Sequence, residues 1–153
     1  MSNIDQDYPQ FLRADREIKE KYLDPLVDPE SGTCFAGQEL GEVYILAAAI
    51  ACATGQRIPS RRNMSDVRTY AKLGAGYKVL IRAMALEAYK KGAEYDYDVI
   101  FDGKKVLEAL EEYANAGLPI LYKKVFDGGL DLSIEGEITS MFNKLQTPTQ
   151  AKE

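Results

Sequence analysis

The pattern of hydrophobic and polar positions predicts a succession of helices around one apolar segment. In QELGEVYILAAAIACATG, residues 43–53 are apolar on every helical face. A helix that is apolar all round is buried among its neighbours, and Gly55 is well placed to end it. We therefore predict a central, alanine-rich helix over residues 38–54, whose small side chains let neighbouring helices approach closely.

Amphipathic patterns before and after the central helix predict further helices. Residues 9–23 place apolar side chains roughly one or two turns apart among charged ones, starting at a proline that suits a first helical turn. The stretch SDVRTYAKL has apolar residues on one side, and Ser65 or Asn63 is placed to cap it as a helix. We predict that both segments are helical.

Two stronger helical patterns follow, and each runs into a glycine. YKVLIRAMALEAYKKG has a broad apolar face that includes Val79, and we expect this helix to end at Gly92. KKVLEALEEYANAG repeats apolar residues at helical spacing, and we expect it to stop at Gly117. The next stretch, LPILYKKVF, fits either a short strand or another helical turn, and a short helix is predicted over about residues 134–145.

Together these elements predict a mostly α-helical protein, with a single compact domain of five or six helices around the alanine-rich central helix. A chain of 153 residues is long enough to bury a core without disulfide or metal support. We place the domain at residues 9–145, with flexible tails at residues 1–8 and 146–153.

Composition limits the chemistry available to the chain. It has no histidine and two widely separated cysteines, Cys34 and Cys52. This excludes Ser-His-Asp and Cys-His catalytic sites within the chain and leaves no zinc-type ligand spacing. We expect a buried Cys52, no cofactor and no metal. We also expect a cytoplasmic protein, because the N-terminus is acidic and no apolar run is long enough to span a membrane.

An enzyme is the less favoured class of function. Its base would have to be a carboxylate, lysine or tyrosine with a shifted pKa, and no grouping of such residues stands out. Glu111 and Glu112 are adjacent on a predicted helix and point in different directions, so they do not form a facing catalytic pair. We interpret both as surface residues.

Positive charge is concentrated in one part of an acidic chain. Residues 55–82 contain seven basic residues and one acidic residue, whereas the whole chain has a net charge of -5. Arginine is suited to bidentate contacts with anionic groups. The residues that we single out as anion- or partner-binding are Arg57, Arg61, Arg62, Arg68 and Lys72.

Two interpretations of residues 55–82, which we name the basic island, stay open. Either it is an anion-facing patch for DNA, RNA or a phosphate, or it pairs with acidic residues of its own chain or of another subunit. A pI near 4.9 is unusual for a stand-alone nucleic-acid binder. We therefore favour a non-enzymatic accessory protein that binds a protein partner. A weak DNA- or RNA-binding regulator is the alternative, and a homo-oligomer is compatible with both.

A second charged stretch, EYDYDVIFDG, alternates acidic residues with aromatic and apolar ones. It lacks the order of ligands found in a calcium-binding EF-hand loop. It is either an acidic and aromatic contact surface for a basic partner, or a solvated loop anchored by tyrosine rings.

Two segments resemble the small proteins associated with DNA phosphorothioation (Dnd) gene clusters. They are FAGQELGEVYILAAAIACATGQRIP and EEYANAGLPIL. The resemblance covers residues 35–121, and the matching positions are Phe35, Tyr44, Ala47, Ala48, Gly55, Arg57, Tyr113, Ala114, Gly117 and Leu118. It implies an accessory role in a DNA-modification or defence system, and it carries no established catalytic residues.

Overall fold

The computed structural model of the protein describes residues 8–61 and 63–128. Within these ranges the chain is mostly helical and forms one compact domain, as predicted, with a small two-stranded sheet in addition. The predicted count of five or six helices is not confirmed. The helix predicted at residues 134–145, the tail at 146–153 and nearly all of the tail at 1–8 lie outside the described residues. The domain limits at 9 and 145 therefore stay a prediction.

In the described part of the chain, two short strands accompany α-helices of very different lengths. The strands are β1 (Phe11–Asp15) and β2 (Met64–Thr69). The α-helices are α1 (Arg16–Ile18), α2 (Asp24–Val27), α3 (Leu40–Thr54), α4 (Ala75–Tyr89) and α5 (Gly103–Gly128). A π-helical segment, Lys19–Leu23, joins α1 to α2, and 3-10 turns occur at Tyr70–Lys72 and Tyr97–Phe101.

Helix α3 confirms the predicted central helix. Its buried residues lie on every face and are Gly41, Val43, Tyr44, Ile45, Ala47, Ala48, Ala49, Ile50, Ala51 and Cys52. Gly55 follows with a φ of 71°, and its N–H bonds to the carbonyls of Ala51 and Cys52. Glycine adopts this left-handed conformation without strain, so Gly55 ends α3 as the sequence predicts.

Helix α5 is the main neighbour of α3, and the prediction that it stops at Gly117 is wrong. A Cβ atom built on Gly117 would lie 1.8 Å from the backbone oxygen of Ala47. The glycine is therefore required by the close approach of the two helices and does not act as a terminator. Helix α5 continues through Pro119, so LPILYKKVF is helical. No helix in the described residues is long and apolar enough to cross a membrane.

The predicted helices at residues 9–23 and 65–73 are wrong where β1 and β2 form. The two strands pair antiparallel, from Phe11 opposite Thr69 to Asp15 opposite Met64. Pairing between distant segments has overridden the local helical spacing, as it commonly does in short amphipathic stretches. Helical structure in the first segment starts only at Arg16, after the strand.

Side chains on both sides of β1 fix its position. The buried Tyr44 of α3 donates its hydroxyl proton to the carbonyl oxygen of Arg13, at 2.6 Å. The buried carboxylate of Asp15 accepts hydrogen bonds from the N–H groups of Glu17 and Ile18, and so caps α1. The sheet is thus attached to the central helix on one side and leads directly into a helix on the other.

Helix α4 lies where the sequence predicts it, but its end and its apolar face differ from the prediction. It ends at Tyr89, before Gly92, and Lys90 is already extended. The buried face consists of Leu80, Ile81, Met84 and Ala85. Val79, predicted to be on that face, is 62% exposed.

The glycine contact between α3 and α5 predicts a large effect of one methyl group. Gly117→Ala should lower the free energy of unfolding by about 3 kcal/mol, because the new Cβ meets a backbone atom that cannot rotate away. Urea unfolding followed by circular dichroism measures this. The matched control is Gly76→Ala in α4, where a Cβ would meet nothing within 4 Å. The free energy of unfolding of Gly76→Ala should equal that of the native protein or exceed it by up to about 1 kcal/mol. Equal stabilities of the two variants would contradict the proposed contact.

Candidate functional site

The candidate site is the connector that leaves α3 and runs over α5 towards β2. We use the name connector for residues 56–61, which include two of the predicted arginines. The N–H of Ile58 donates to the carbonyl oxygen of Glu112, at 3.0 Å. The side-chain amide of Asn115 donates to Ile58 O at 3.1 Å and to Ser60 Oγ at 3.2 Å. The connector is therefore bound to α5 through its own backbone.

Asn115 is the polar anchor of this attachment. It is completely buried, and its Oδ1 makes no hydrogen bond within the described residues. Burying an unsatisfied amide oxygen costs about 1–3 kcal/mol. The two hydrogen bonds that Asn115 donates to the connector offset this cost. Asn115 was not among the residues singled out from the sequence.

Arg57 is the first predicted site residue, and it lies between α4 and α5. Its Nε is 3.4 Å from a carboxylate oxygen of Glu112, and its Nη1 donates to the carbonyl oxygen of Ala88 at 3.3 Å. The guanidinium also lies 6.0 Å from the ring centre of Tyr89 and 5.8 Å from that of Tyr113. Arg57 thus ties the start of the connector to two helices.

Arg61 is far more accessible than Arg57. Its Nη1 donates to a carboxylate oxygen of Glu17 at 3.0 Å, and the two side chains are 72% and 76% exposed. An exposed pair of this kind contributes only about 0–1 kcal/mol. Arg61 can therefore exchange Glu17 for another anionic group at little cost. Arg62, also predicted as a site residue, lies outside the described residues.

The remaining predicted residues, Arg68 and Lys72, lie at the other end of α3. Arg68 pairs with the carboxylate of Glu39, which precedes α3, and donates to the carbonyl oxygen of Lys72 at 3.4 Å. The 15 residues of α3 span about 22 Å. Because Arg57 follows the far end of that helix, the structure does not bring Arg57 and Arg68 together. Their roles in binding stay a prediction.

The interpretation of Glu111 and Glu112 as surface residues is wrong for Glu111. Glu111 is half-buried, and Ser60 Oγ lies 3.5 Å from its Oε2. Burial raises the pKa of Glu111 to about 7, against the opposing charge of Arg13 and the hydrogen bond from Ser60. The neighbouring Glu112 pairs with Arg57, so both carboxylates face the connector.

The thiol of Cys52 is not activated as a nucleophile. Cys52 is buried, as predicted, and Cys34 is exposed. Burial raises the pKa of Cys52 to about 11, so its thiol is protonated at neutral pH. Among the described residues, no three cysteine or acidic side chains are grouped so that they could hold a metal ion.

One comparison with known proteins gives a match. The model of a protein family described as DNA sulphur modification system-associated protein 4 matches residues 18–153. The matched range includes α3, the connector and α5. No curated protein and no solved structure matches the chain.

Because the pKa of Glu111 is raised, we expect the free energy of unfolding of the protein to depend on pH. Between its ordinary pKa of 4.5 and the folded value of about 7, the folded state binds more protons than the unfolded state. The contribution of Glu111 to the free energy of unfolding therefore decreases as the pH rises through this window. Glu111→Gln keeps an acceptor for Ser60 but removes the charge. The variant should gain about 1 kcal/mol over the native protein between about pH 5 and about pH 8, after allowance for solvent screening.

Urea unfolding at the two pH values measures this gain. The control is Glu30→Gln, which removes a charge from an exposed turn residue and should show no such gain. A Glu111→Gln variant whose stability relative to the native protein is the same at both pH values would contradict the burial of this carboxylate.

Proposed function

The chain belongs to the family of DNA sulphur modification system-associated protein 4, and from this premise we propose that it is a non-enzymatic accessory protein that binds a protein partner through the connector. The family match confirms the resemblance described from the sequence and supports an accessory role in DNA modification. The contact surface, the partner and a cytoplasmic location are parts of the proposal.

One observation carries the proposal: the connector is fixed to α5 and still presents exposed side chains. Ile58 is 47% exposed, although its N–H and carbonyl are bonded to α5. Arg61 projects from the same segment and is paired with the exposed Glu17. A segment that is already ordered loses little conformational entropy when it binds. Arginine is enriched at the centre of protein contacts, and the exposed side chain of Ile58 adds apolar area that a partner can bury.

The same geometry favours a protein partner over nucleic acid. Each of three predicted arginines lies against a carboxylate of its own chain, namely Glu112, Glu17 or Glu39. At Arg57 and Arg68 a phosphate would have to displace a carboxylate from a partly buried pair, in a chain whose net charge is -5. The alternative, a weak DNA- or RNA-binding regulator, would also have to use arginines near opposite ends of α3. It would bind with a steep salt dependence, with a log-log slope of about -3 to -4.

The proposal predicts direct binding to a protein component of a DNA sulphur modification system. Full-length protein is immobilised, and each purified component is passed over it in a biosensor. Ile58→Ser and Arg61→Ala should each weaken binding to that component by about tenfold, because each removes a central contact. The matched controls are Val79→Ser and Lys123→Ala, which alter an exposed aliphatic and an exposed cationic side chain elsewhere.

Two results would contradict the proposal. One is a component that binds the controls and the connector variants equally well. The other is retention of duplex DNA at moderate salt that falls with Arg61→Ala, while no protein component binds; this result would establish the nucleic-acid alternative.

A further inference from the structure

A second surface of the protein carries exposed aromatic rings and has no role in the connector. It lies in residues 94–102, which we name the acidic-aromatic segment. Tyr95, Tyr97 and Phe101 of this segment are 41%, 65% and 59% exposed. Exposed aromatic side chains that lie close together are typical of interaction sites, because water solvates their faces poorly.

The acidic-aromatic segment is held in a defined shape. Val99 is buried in the core, and Tyr8 donates its hydroxyl proton to the carbonyl oxygen of Ile100, at 2.6 Å. The carboxylate of Asp96 accepts from the N–H of Asp98 at 3.1 Å, at the start of the 3-10 turn. The rings are therefore exposed on an ordered backbone, and their exposure does not result from a loose loop.

The ring centres of Tyr95 and Tyr97 lie 6.1 Å apart, so the two rings form a small aromatic platform. The hydroxyl of Tyr95 is bonded to the carboxylate of Glu87 at 3.2 Å, which fixes one of them. Tyr97 and Phe101 are the first and last residues of the same 3-10 turn. An incoming flat, cationic side chain can stack on such rings.

Carboxylates lie along the segment that carries this platform, and one cation, Lys90, lies beside it, with its Nζ 5.8 Å from the ring centre of Tyr95. The segment contains four acidic and no basic residues, and all four are exposed: Glu94, Asp96, Asp98 and Asp102. Within the part of the chain that the structure describes, none of their carboxylates forms an ion pair. The segment therefore combines exposed rings with four carboxylates that are not in ion pairs, and these carboxylates favour a cationic partner.

We propose that the acidic-aromatic segment is a second docking surface, which binds an arginine-rich segment of a protein partner. A guanidinium group stacks on tyrosine and phenylalanine rings and also forms bidentate pairs with carboxylates, whereas an ammonium group is a compact, strongly hydrated charge. The protein itself uses the first of these contacts, since Arg57 lies over Tyr89 and Tyr113. A second copy of the chain is the poorer occupant, because it has the same net charge of -5 and no more than two adjacent arginines.

Fluorescence anisotropy with the full-length protein tests this proposal. The probe is a short labelled peptide of alternating arginine and glycine, and its counterpart has lysine in place of arginine. The arginine peptide should bind several-fold more tightly than the lysine peptide. Tyr97→Ala and Asp98→Asn should each weaken the binding of the arginine peptide by about five- to tenfold. The first removes a ring on which a guanidinium group stacks, and the second removes a carboxylate that pairs with the peptide. Added salt should weaken the binding further.

The matched controls are Phe126→Ala and Glu30→Gln, which remove an exposed ring and an exposed carboxylate outside the segment. Both should leave the affinity unchanged. All the substituted side chains are exposed, and circular dichroism verifies that each variant is folded.

Three results would overturn the proposal. The first is no binding of the arginine peptide, and the second is equal loss of affinity in the segment variants and the controls. The third is concentration-dependent self-association in analytical ultracentrifugation that disappears with Tyr97→Ala, since it would make a second copy of the chain the occupant.

Discussion

The close approach of α5 to α3 at Gly117 is the constraint on which the rest of the structure depends. Helix α3 has apolar residues on all sides, so it must be covered on all sides. Alanine on one helix and glycine on the other allow the backbones to touch, and a Cβ at Gly117 would overlap the oxygen of Ala47. The contact sets the position of the whole of α5, including the turn before Gly117 that carries Asn115 and Glu112.

The position of the connector follows from this contact. The chain leaves α3 at Gly55 in a left-handed conformation, and the connector then lies over the same turn of α5. The side-chain amide of the buried Asn115 bonds to the connector backbone, although its Oδ1 has no hydrogen-bond partner among the described residues. Arg57 and Glu112 complete the attachment. Arg57 is thus held in place by a helix that is distant in sequence, whereas Arg61 pairs with the exposed Glu17.

The features that the sequence predicts correctly depend on strong local signals. An uninterrupted apolar run followed by Gly55 has one physical interpretation, a buried helix with its stop. Gly117 has two interpretations, since a glycine can end a helix or can permit close packing of two helices. The position of the neighbouring helix distinguishes them, and the local sequence does not contain it. The strands β1 and β2 are far apart in sequence and are stabilised by each other, so neither segment alone contains the information that it forms a strand.

The candidate site is predictable from the sequence only in part. The concentration of arginines in residues 55–82 is visible in the sequence, and the assignment of Arg57 and Arg61 to a binding site stays a prediction. Their carboxylate partners and the half-burial of Glu111 follow from tertiary packing and have no local signal. The membership of the family links the protein to DNA sulphur modification, while the ordered, exposed connector supplies the argument for a protein contact.

Proton–proton contacts measured by nuclear Overhauser spectroscopy test the central contact most directly. The structure predicts cross-peaks from the α-protons of Gly117 to protons of Ala47, and from the side-chain amide of Asn115 to Ile58 in the same spectrum. Gly117 α-protons that show cross-peaks only within α5 would contradict the close approach of the two helices, and with it the placement of the connector.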